Sequence, residues 1–190
     1  PFAERPTRRS FAQKMVFGFW YLLVFRALQN FIGLRSVKVA MTGAAPIPAK
    51  IVHFFRTIGV PLVEVYGATE TSGMATGQRL DDLVPLCVGP AVEGAELKRG
   101  RQGELLVKGD LVFEGYYQNE AATKAAFTPD GWLRTGDVVE IVEGQFKIVD
   151  RLKDIMITAG GKNLSPSESE NTVKASPYIK ECIVIGEARK

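Results

Sequence analysis

VKVAMTGAAPIP, residues 37–48, and LVEVYGATETSG, residues 62–73, decide the fold that this sequence predicts. Each begins with a short β-rich run and passes into a loop of small residues, Gly43 to Pro46 in the first and Gly67 to Glu70 in the second. Between them, apolar residues recur with helical period from Ile47 to Ile58. Strand, helix and strand with short connections predict a parallel crossover unit. Because ligands of open α/β sheets bind beyond the carboxyl ends of the strands, both loops are candidate ligand sites.

A long helix is predicted before this unit. Apolar residues recur at mixed helical spacing from 11 to 32, and Gly33 is a plausible stop. The continuous apolar run from Met15 to Phe25 is shorter than the about 20 residues that span a bilayer, and it lacks the cleavage site of a signal peptide. We therefore expect a buried helix, with peripheral contact at a membrane surface as the alternative.

After residue 77 the pattern changes to short β-rich runs separated by turn residues, which predicts a small antiparallel sheet or barrel. The runs lie at 104–108, 133–135, 138–142 and 146–149. Glu143 and Gly144 suit a tight hairpin between the last two. Two helices are also expected, one at 120–126 capped by Asn119 and one that begins at Pro166 after the cap Ser165.

Composition excludes several classes of function. A formal net charge of +3 without a basic stripe argues against binding to nucleic acid. One histidine, His53, cannot form a multi-histidine metal site, and the two cysteines, Cys87 and Cys182, have neither metal-ligand nor redox spacing. A reducing, cytoplasmic compartment is therefore expected, with membrane association as an addition. Oligomeric state is left open.

The turn YGATETSG, residues 66–73, has the residue types of a phosphate and metal site. Glycine brings backbone N–H groups close to a phosphate, the Thr69 hydroxyl adds a donor, and the Glu70 carboxylate could hold Mg²⁺. An ordinary turn uses the same residue types, so this segment alone leaves both interpretations open.

Three later segments are also candidates. Asp137 follows a glycine turn in WLRTGD, residues 132–137, where a carboxylate could accept both ribose hydroxyls or merely form the turn. The alternating charges of DRLKD, residues 150–154, could equally be a solvated strand end. Gly160 and Gly161 indicate a sharp loop. They do not indicate a phosphate-binding loop, because the lysine spacing of a P-loop is missing.

Read in order, these segments resemble the acyl-adenylate-forming superfamily of acyl-CoA synthetases, adenylation domains and luciferases, from about residue 36 onward. The matching segments are Gly43 to Ile47, Tyr66 to Glu70, Gly103 to Leu105 with Gly115 to Tyr117, Thr135 to Asp137, and Asp150 to Asp154 with Gly160 to Lys162. Residues 152–158 and 162–168 are closer to the long-chain fatty-acyl ligases than to other branches.

The resemblance implies roles for individual residues. Those expected to contact the nucleotide are Gly43, Ala44, Ala45 and Pro46 beside the adenine, Tyr66 stacked on it, Gly67 and Thr69 at the α-phosphate, and Asp137 with Arg151 at the ribose. Glu70 would be the Mg²⁺ ligand. Lys153 would be the pivot of a small C-terminal domain, and Gly160 and Gly161 would belong to the loop used in thioester formation.

The implied fold is α/β, with the C-terminal half of a large domain at 1–150, a hinge at 151–154 and the beginning of a small α+β lid domain at 155–190. A parallel βαβ part would precede a small antiparallel, barrel-like part. The phosphate loop and the C-terminal lysine of the family are not found, and both ends look cut, so the chain is interpreted as an internal piece with weak or no activity alone.

The implied function is that of a fatty-acid:CoA ligase, which activates a carboxylate with ATP to an acyl-adenylate and transfers the acyl group to CoA. ATP or AMP, Mg²⁺, CoA and a fatty acid are the expected cofactors and partners. Two alternatives remain: a nucleotide-binding remnant without turnover, and an adenylation domain or ligase for another acid or acceptor.

Overall fold

The computed structural model of the chain describes residues 10–45, 47–157, 163–174, 176 and 178–186. Its first unit is the predicted crossover, formed by β1 (Ala40–Thr42), α3 (Ala49–Thr57) and β2 (Leu62–Tyr66). The two strands are parallel, with Met41 opposite Val63, so this prediction is confirmed. A short third strand, β3 (Thr76–Gly77), pairs antiparallel with β2 and was not predicted.

The N-terminal helix runs without a break through α1 (Phe11–Trp20), a π-helical segment (Tyr21–Phe25) and α2 (Arg26–Phe31). A capping box between Ser10 and Gln13 fixes its start. Gln29 is its only buried residue, where the side-chain amide donates to the Ile58 carbonyl at 2.9 Å.

The expectation of a buried helix is therefore wrong. Within the described residues, Phe17, Tyr21 and Gln29 of this helix lie within 4 Å of the Cβ position at Gly59, and most of its other apolar side chains are exposed. Phe19, Leu22 and Leu23 are among the exposed side chains. The prediction of a long helix from 11 to 32 is confirmed: the helix has 21 residues, and it meets the length and composition needed to cross a membrane.

The second sheet is a four-stranded antiparallel meander in the order β4-β5-β6-β7. Its strands are β4 (Ala95–Arg99), β5 (Glu104–Gly109), β6 (Leu133–Val142) and β7 (Gln145–Arg151). The two runs predicted at 133–135 and 138–142 form one strand, and the residues between them coincide with a register shift against β5 between Glu104 and Leu106, where β6 carries the extra residues. Glu143 and Gly144 both have positive φ in the predicted hairpin.

The core lies where the two sheets meet. Leu105, Val107, Leu133 and Val139 from the meander pack with Ala75, which lies just after the turn that follows β2. Tyr66 is partly buried against the same cluster. The core therefore holds the end of β2 against the second sheet.

Both shorter helices begin at the predicted caps. In α4 (Glu120–Ala126), the Asn119 side chain accepts from the Ala122 N–H at 3.0 Å. In α5 (Pro166–Lys174), the Ser165 hydroxyl accepts from the Glu168 N–H at 3.1 Å. A small hairpin of β8 (Met156–Ile157) and β9 (Asn163–Leu164) precedes α5.

Asp150 joins α5 to the end of β7. Its carboxylate accepts from the Ser165 hydroxyl at 2.6 Å and from the N–H and hydroxyl of Ser167 at 3.0 and 2.9 Å. Burial alone would raise the pKa of Asp150, but these hydrogen bonds outweigh it and hold the pKa below its usual value. The start of the predicted lid segment is thus attached to the sheet by an ionised carboxylate.

Candidate nucleotide site

The turn after β2 is shaped by a glycine that no other residue could replace without movement. A Cβ on Gly67 would lie 2.4 Å from the Gly73 carbonyl oxygen. The chain then makes one 3₁₀ turn, Thr69–Thr71, in which the buried Thr71 hydroxyl accepts from the Ala68 N–H at 2.9 Å. Thr69 is left exposed at the surface of the turn, where its hydroxyl is accessible to a ligand.

The loop after β1 lies beside this turn. Gly43 approaches β2 so closely that a Cβ would lie 2.7 Å from the Val65 carbonyl oxygen. Ala44 has a φ of 66°, in the left-handed region that is costly for a residue with a side chain. Gly43, Ala44 and Ala45 are all exposed, and Pro46 lies outside the described residues.

Asp137 is brought to the end of β2 by a contact across 71 positions of sequence. The Tyr66 hydroxyl donates to Asp137 Oδ2 at 2.6 Å, and Arg151 Nε lies 2.9 Å from Asp137 Oδ1. Burial, and then the neighbouring negative charge of Asp137, raise the pKa of Tyr66, so this hydroxyl stays protonated and donates. A carboxylate has about four acceptor positions, which leaves room for two further donors such as a pair of hydroxyls.

The turn that carries Asp137 is held by its own hydrogen bonds. Gly136 has a φ of 70°, and its N–H donates to Glu104 Oε1 at 3.1 Å. The Thr135 hydroxyl donates to the Leu105 carbonyl at 2.8 Å and accepts from the Asp137 N–H at 3.1 Å. Glu104 and Thr135 thus position the acid, a function that the sequence did not reveal because each depends on the pairing of β5 with β6.

Glu70 has a different partner. The Tyr116 hydroxyl donates to Glu70 Oε1 at 2.8 Å, and the Phe113 N–H donates to the Glu70 carbonyl at 2.9 Å. Within the described residues there is no cluster of three or more metal-ligating His, Cys, Asp or Glu side chains. Tyr116 belongs to the motif at Gly115 to Tyr117, but the sequence alone does not indicate its contact with Glu70.

The residues around the predicted hinge border the same region. The Leu152 N–H donates to the Gly136 carbonyl at 2.7 Å, which ties the end of β7 to the turn before Asp137. Gly136, Arg151, Leu152 and Lys153 line a shallow depression, with Lys153 exposed. Gly160 and Gly161 lie outside the described residues, so their predicted placement has no counterpart here.

The structure therefore brings together the ends of β1 and β2, the acid at 137 and the arginine at 151, and Glu70 lies within the 3₁₀ turn after β2. This fold and these side chains define the chain as an α/β protein with a candidate nucleotide site beyond the carboxyl ends of two parallel strands. The chain belongs to the AMP-binding enzyme family, whose model matches residues 8–117.

Two relatives that are named as a fatty-acid CoA ligase and an acyl-CoA synthetase align with most of this chain. The long-chain-fatty-acid–CoA ligase FadD15 of Mycobacterium tuberculosis is 42% identical over 88% of this chain and 28% of its own length. The peroxisomal long chain acyl-CoA synthetase 6 of Arabidopsis thaliana is 32% identical over 89% of the chain and 26% of its own length. The chain thus spans little more than a quarter of these relatives.

Solved structures agree with this fold. The O-succinylbenzoate coenzyme A synthetase of Bacillus subtilis in complex with AMP has a TM-score of 0.74 at 27% identity, covering 87% of this chain and 37% of that one. ATP-bound MatB of Rhodopseudomonas palustris has a TM-score of 0.66 at 38% identity, covering 77% of this chain and 31% of that one. The mixed α/β fold predicted from the sequence is confirmed by these neighbours.

Proposed function

We propose that this chain supplies the adenosine-binding and Mg²⁺-binding part of an ATP-dependent fatty-acid:CoA ligase. The observation that carries the proposal is the meeting of Asp137, Tyr66 and Arg151 at the carboxyl end of β2, beside the loop after β1. The names of the relatives support the ligase assignment, and the AMP and ATP complexes of similar structures support a nucleotide ligand.

Each side chain has a task in this proposal. Asp137 accepts the ribose hydroxyls with the acceptor positions that Tyr66 and Arg151 leave free. Tyr66 presents its ring to the adenine, and because its hydroxyl is bonded to Asp137, ring and acid hold a fixed spacing. Gly43 to Pro46 border the base. Thr69 and the N–H groups of the Gly67 turn bind the α-phosphate.

Mg²⁺ suits the donor set at Glu70. This hard cation is commonly held by one or two carboxylates together with the phosphates of the substrate, so a single carboxylate beside the phosphate turn is sufficient. When bound, Mg²⁺ supplies neutralisation of the negative charge on the phosphate oxygens. Glu70 contributes the protein oxygen, and the turn after β2 keeps that oxygen next to the phosphate position.

The reaction needs activation because a carboxylate has no good leaving group. The fatty carboxylate attacks the α-phosphate of ATP, pyrophosphate leaves, and the resulting acyl-adenylate gives its acyl group to the thiol of CoA with release of AMP. This chain's contribution is positioning and electrostatic stabilisation. Lys153 serves as the pivot of the lid, and Gly160 and Gly161 approach the site in the second step.

Turnover by the full-length ligase that we propose contains this chain separates the proposal from its two alternatives. A nucleotide-binding remnant binds AMP and releases none from ATP, Mg²⁺, palmitate and CoA. A ligase or adenylation domain for another acid releases AMP only with that acid. Measurement of AMP release by that full-length protein with a panel of carboxylates distinguishes the three, whereas we expect little release from these 190 residues alone.

Binding of AMP tests the site directly. Asp137→Asn removes the negative charge and one acceptor while keeping the size of the side chain, so we expect AMP affinity to fall about tenfold or more. Isothermal titration calorimetry measures this, and Asp110→Asn, at an exposed aspartate, is the matched control. Equal affinity in the Asp137 variant, or no AMP binding by the unaltered chain, would contradict the proposal.

Peripheral contact with an anionic membrane is also proposed, through the helix from Phe11 to Phe31. Its exposed apolar side chains support this, as does the lack of any acidic residue between Glu4 and Glu64, a stretch that contains Lys14, Arg26 and Arg35. Co-sedimentation with vesicles containing phosphatidylserine tests it. Equal sedimentation with neutral phosphatidylcholine vesicles would refute the electrostatic part.

A further inference from the structure

Tyr116 reaches the proposed metal ligand from a segment 46 positions away. Its hydroxyl donates to Glu70 Oε1 at 2.8 Å, although the tyrosine itself is exposed and outside the hydrophobic core. An exposed hydrogen bond between two long side chains normally contributes little, because both must give up conformational freedom. What gives this contact significance is how firmly the tyrosine is held.

Tyr116 and the loop that carries it are held by three contacts. Its ring packs edge-to-face on Phe113 with centroids 4.9 Å apart, and Phe113 in turn stacks on Phe127 at 5.9 Å. Its N–H donates to the Thr123 hydroxyl on α4 at 2.9 Å. The Phe113 N–H also donates to the Glu70 carbonyl, so the loop that carries the tyrosine is bonded to both ends of Glu70.

We infer that Tyr116 is a positioning residue for Glu70, which orients the carboxylate so that its second oxygen faces Mg²⁺. The inference rests on the proposed function, in which Glu70 is the metal ligand. Groups that hydrogen-bond a metal-ligating carboxylate set its orientation, and their removal typically lowers metal affinity by 10- to 100-fold.

The chemistry of the pair fits this role. The hydrogen bond to Glu70, followed by burial and the charge of Glu70, raises the pKa of Tyr116 above its usual value. The phenol therefore remains a neutral hydrogen-bond donor throughout the physiological range. Glu70 Oε1 accepts the hydrogen bond from the Tyr116 hydroxyl, which leaves Oε2 for Mg²⁺.

A matched pair of adjacent tyrosines makes the test sharp. Tyr117 is 90% exposed, and its hydroxyl accepts a hydrogen bond from the Gln118 side chain, which is outside the proposed metal site. Tyr116→Phe and Tyr117→Phe each remove one hydroxyl and keep the ring. MgCl₂ is titrated into the full chain in the presence of a non-hydrolysable ATP analogue, and AMP affinity is measured separately in EDTA.

If Tyr116 positions Glu70, its substitution should change Mg²⁺ affinity but not AMP affinity in EDTA. Tyr116→Phe weakens Mg²⁺ binding about tenfold or more and leaves AMP affinity in EDTA unchanged, whereas Tyr117→Phe changes neither. In a Glu70→Gln background, Tyr116→Phe has no further effect on Mg²⁺ binding, because the group that it orients is already altered. Thr123→Val, which removes the acceptor for the Tyr116 N–H, produces a smaller loss in the same direction.

Other outcomes overturn the inference. Unchanged Mg²⁺ affinity in Tyr116→Phe rejects it while leaving the proposed function intact. An equal loss of Mg²⁺ and AMP binding means that the hydroxyl only stabilises the loop, and so does a loss that persists in the Glu70→Gln background. Failure of the unaltered chain to bind nucleotide rejects the proposed function and the inference together.

Discussion

Glu64 is a carboxylate on β2 whose burial is only partly compensated. Arg56 on α3 is its partner, but the closest guanidinium nitrogen is 4.0 Å away and donates instead to the Gln78 side chain at 2.8 Å. Burial raises the pKa of Glu64 to about 7 despite the opposing charge of Arg56. Cys87, whose own pKa is raised by burial and then by Glu64, adds no compensating charge.

This carboxylate gives stability a definite dependence on pH. Because the pKa of about 7 in the folded chain exceeds the ordinary 4.5, the folded state holds the proton more firmly than the unfolded state. The free energy of unfolding therefore falls as pH rises from 4.5 to about 7 and then levels, by at most about 3 kcal/mol. Glu64→Gln removes this fall in urea titrations across the range.

The exposed Glu93 supplies a control for that measurement. Glu93→Gln makes the same chemical change at a side chain outside the sheet, and the fall in stability should persist in this variant. A fall of the same size in Glu64→Gln would show that another group causes it.

Residue types at the site were readable from the sequence, but their contacts were not. Asp137 and Glu70 stand out because acids next to glycine turns are typical of ligand sites. Their bonds to Tyr66 and Tyr116 span 71 and 46 positions, and they depend on how the two sheets pack. No local pattern encodes such a distance, so the partners became visible only in the folded chain.

At the scale of elements, periodicity predicted what is local. The crossover, the hairpin at Glu143 and Gly144, and both side-chain caps follow from turn chemistry and hydrophobic spacing. β4 (Ala95–Arg99) was missed because its alternation AELKR contains few apolar residues, and β3 is only two residues long. The prediction that the N-terminal helix is buried was wrong, because composition does not show which faces of a helix have a neighbour.

The loop after β1 depends on one close approach between elements. In Gly43→Ala the new methyl group would lie 2.7 Å from the Val65 carbonyl oxygen, so the strand ends must separate, and we expect a loss of about 1–3 kcal/mol in urea unfolding. Gly18→Ala is the matched control. Gly18 lies in α1 with nothing within 4 Å of an added Cβ, so the same change should stabilise by up to about 1 kcal/mol.

The two substitutions are the same chemical change, but we expect opposite effects on the free energy of unfolding. A loss at Gly43 with a gain at Gly18 supports the close contact between the ends of β1 and β2. A gain at both positions would mean that the loop has room for a side chain, and that the strand ends do not meet as described.

At the scale of the whole molecule, the proposed nucleotide site depends on the convergence of segments that are distant in sequence. Segments near 43, 67, 137 and 151 come from two sheets and meet because the core around Leu105 and Val139 packs the meander against the end of β2. The fold class could be predicted from the order of helices and strands, whereas this meeting depends on sheet packing. The predicted division at 151–154 stays a prediction, and β7 extends into it as far as Arg151.

An NMR titration of the ¹⁵N-labelled 190-residue chain with AMP tests this convergence most directly. We expect the backbone amide signals of Gly43, Gly67, Asp137 and Arg151 to shift together and to yield one dissociation constant. Shifts confined to one of these segments, or centred on a surface that contains none of them, would contradict a shared nucleotide site.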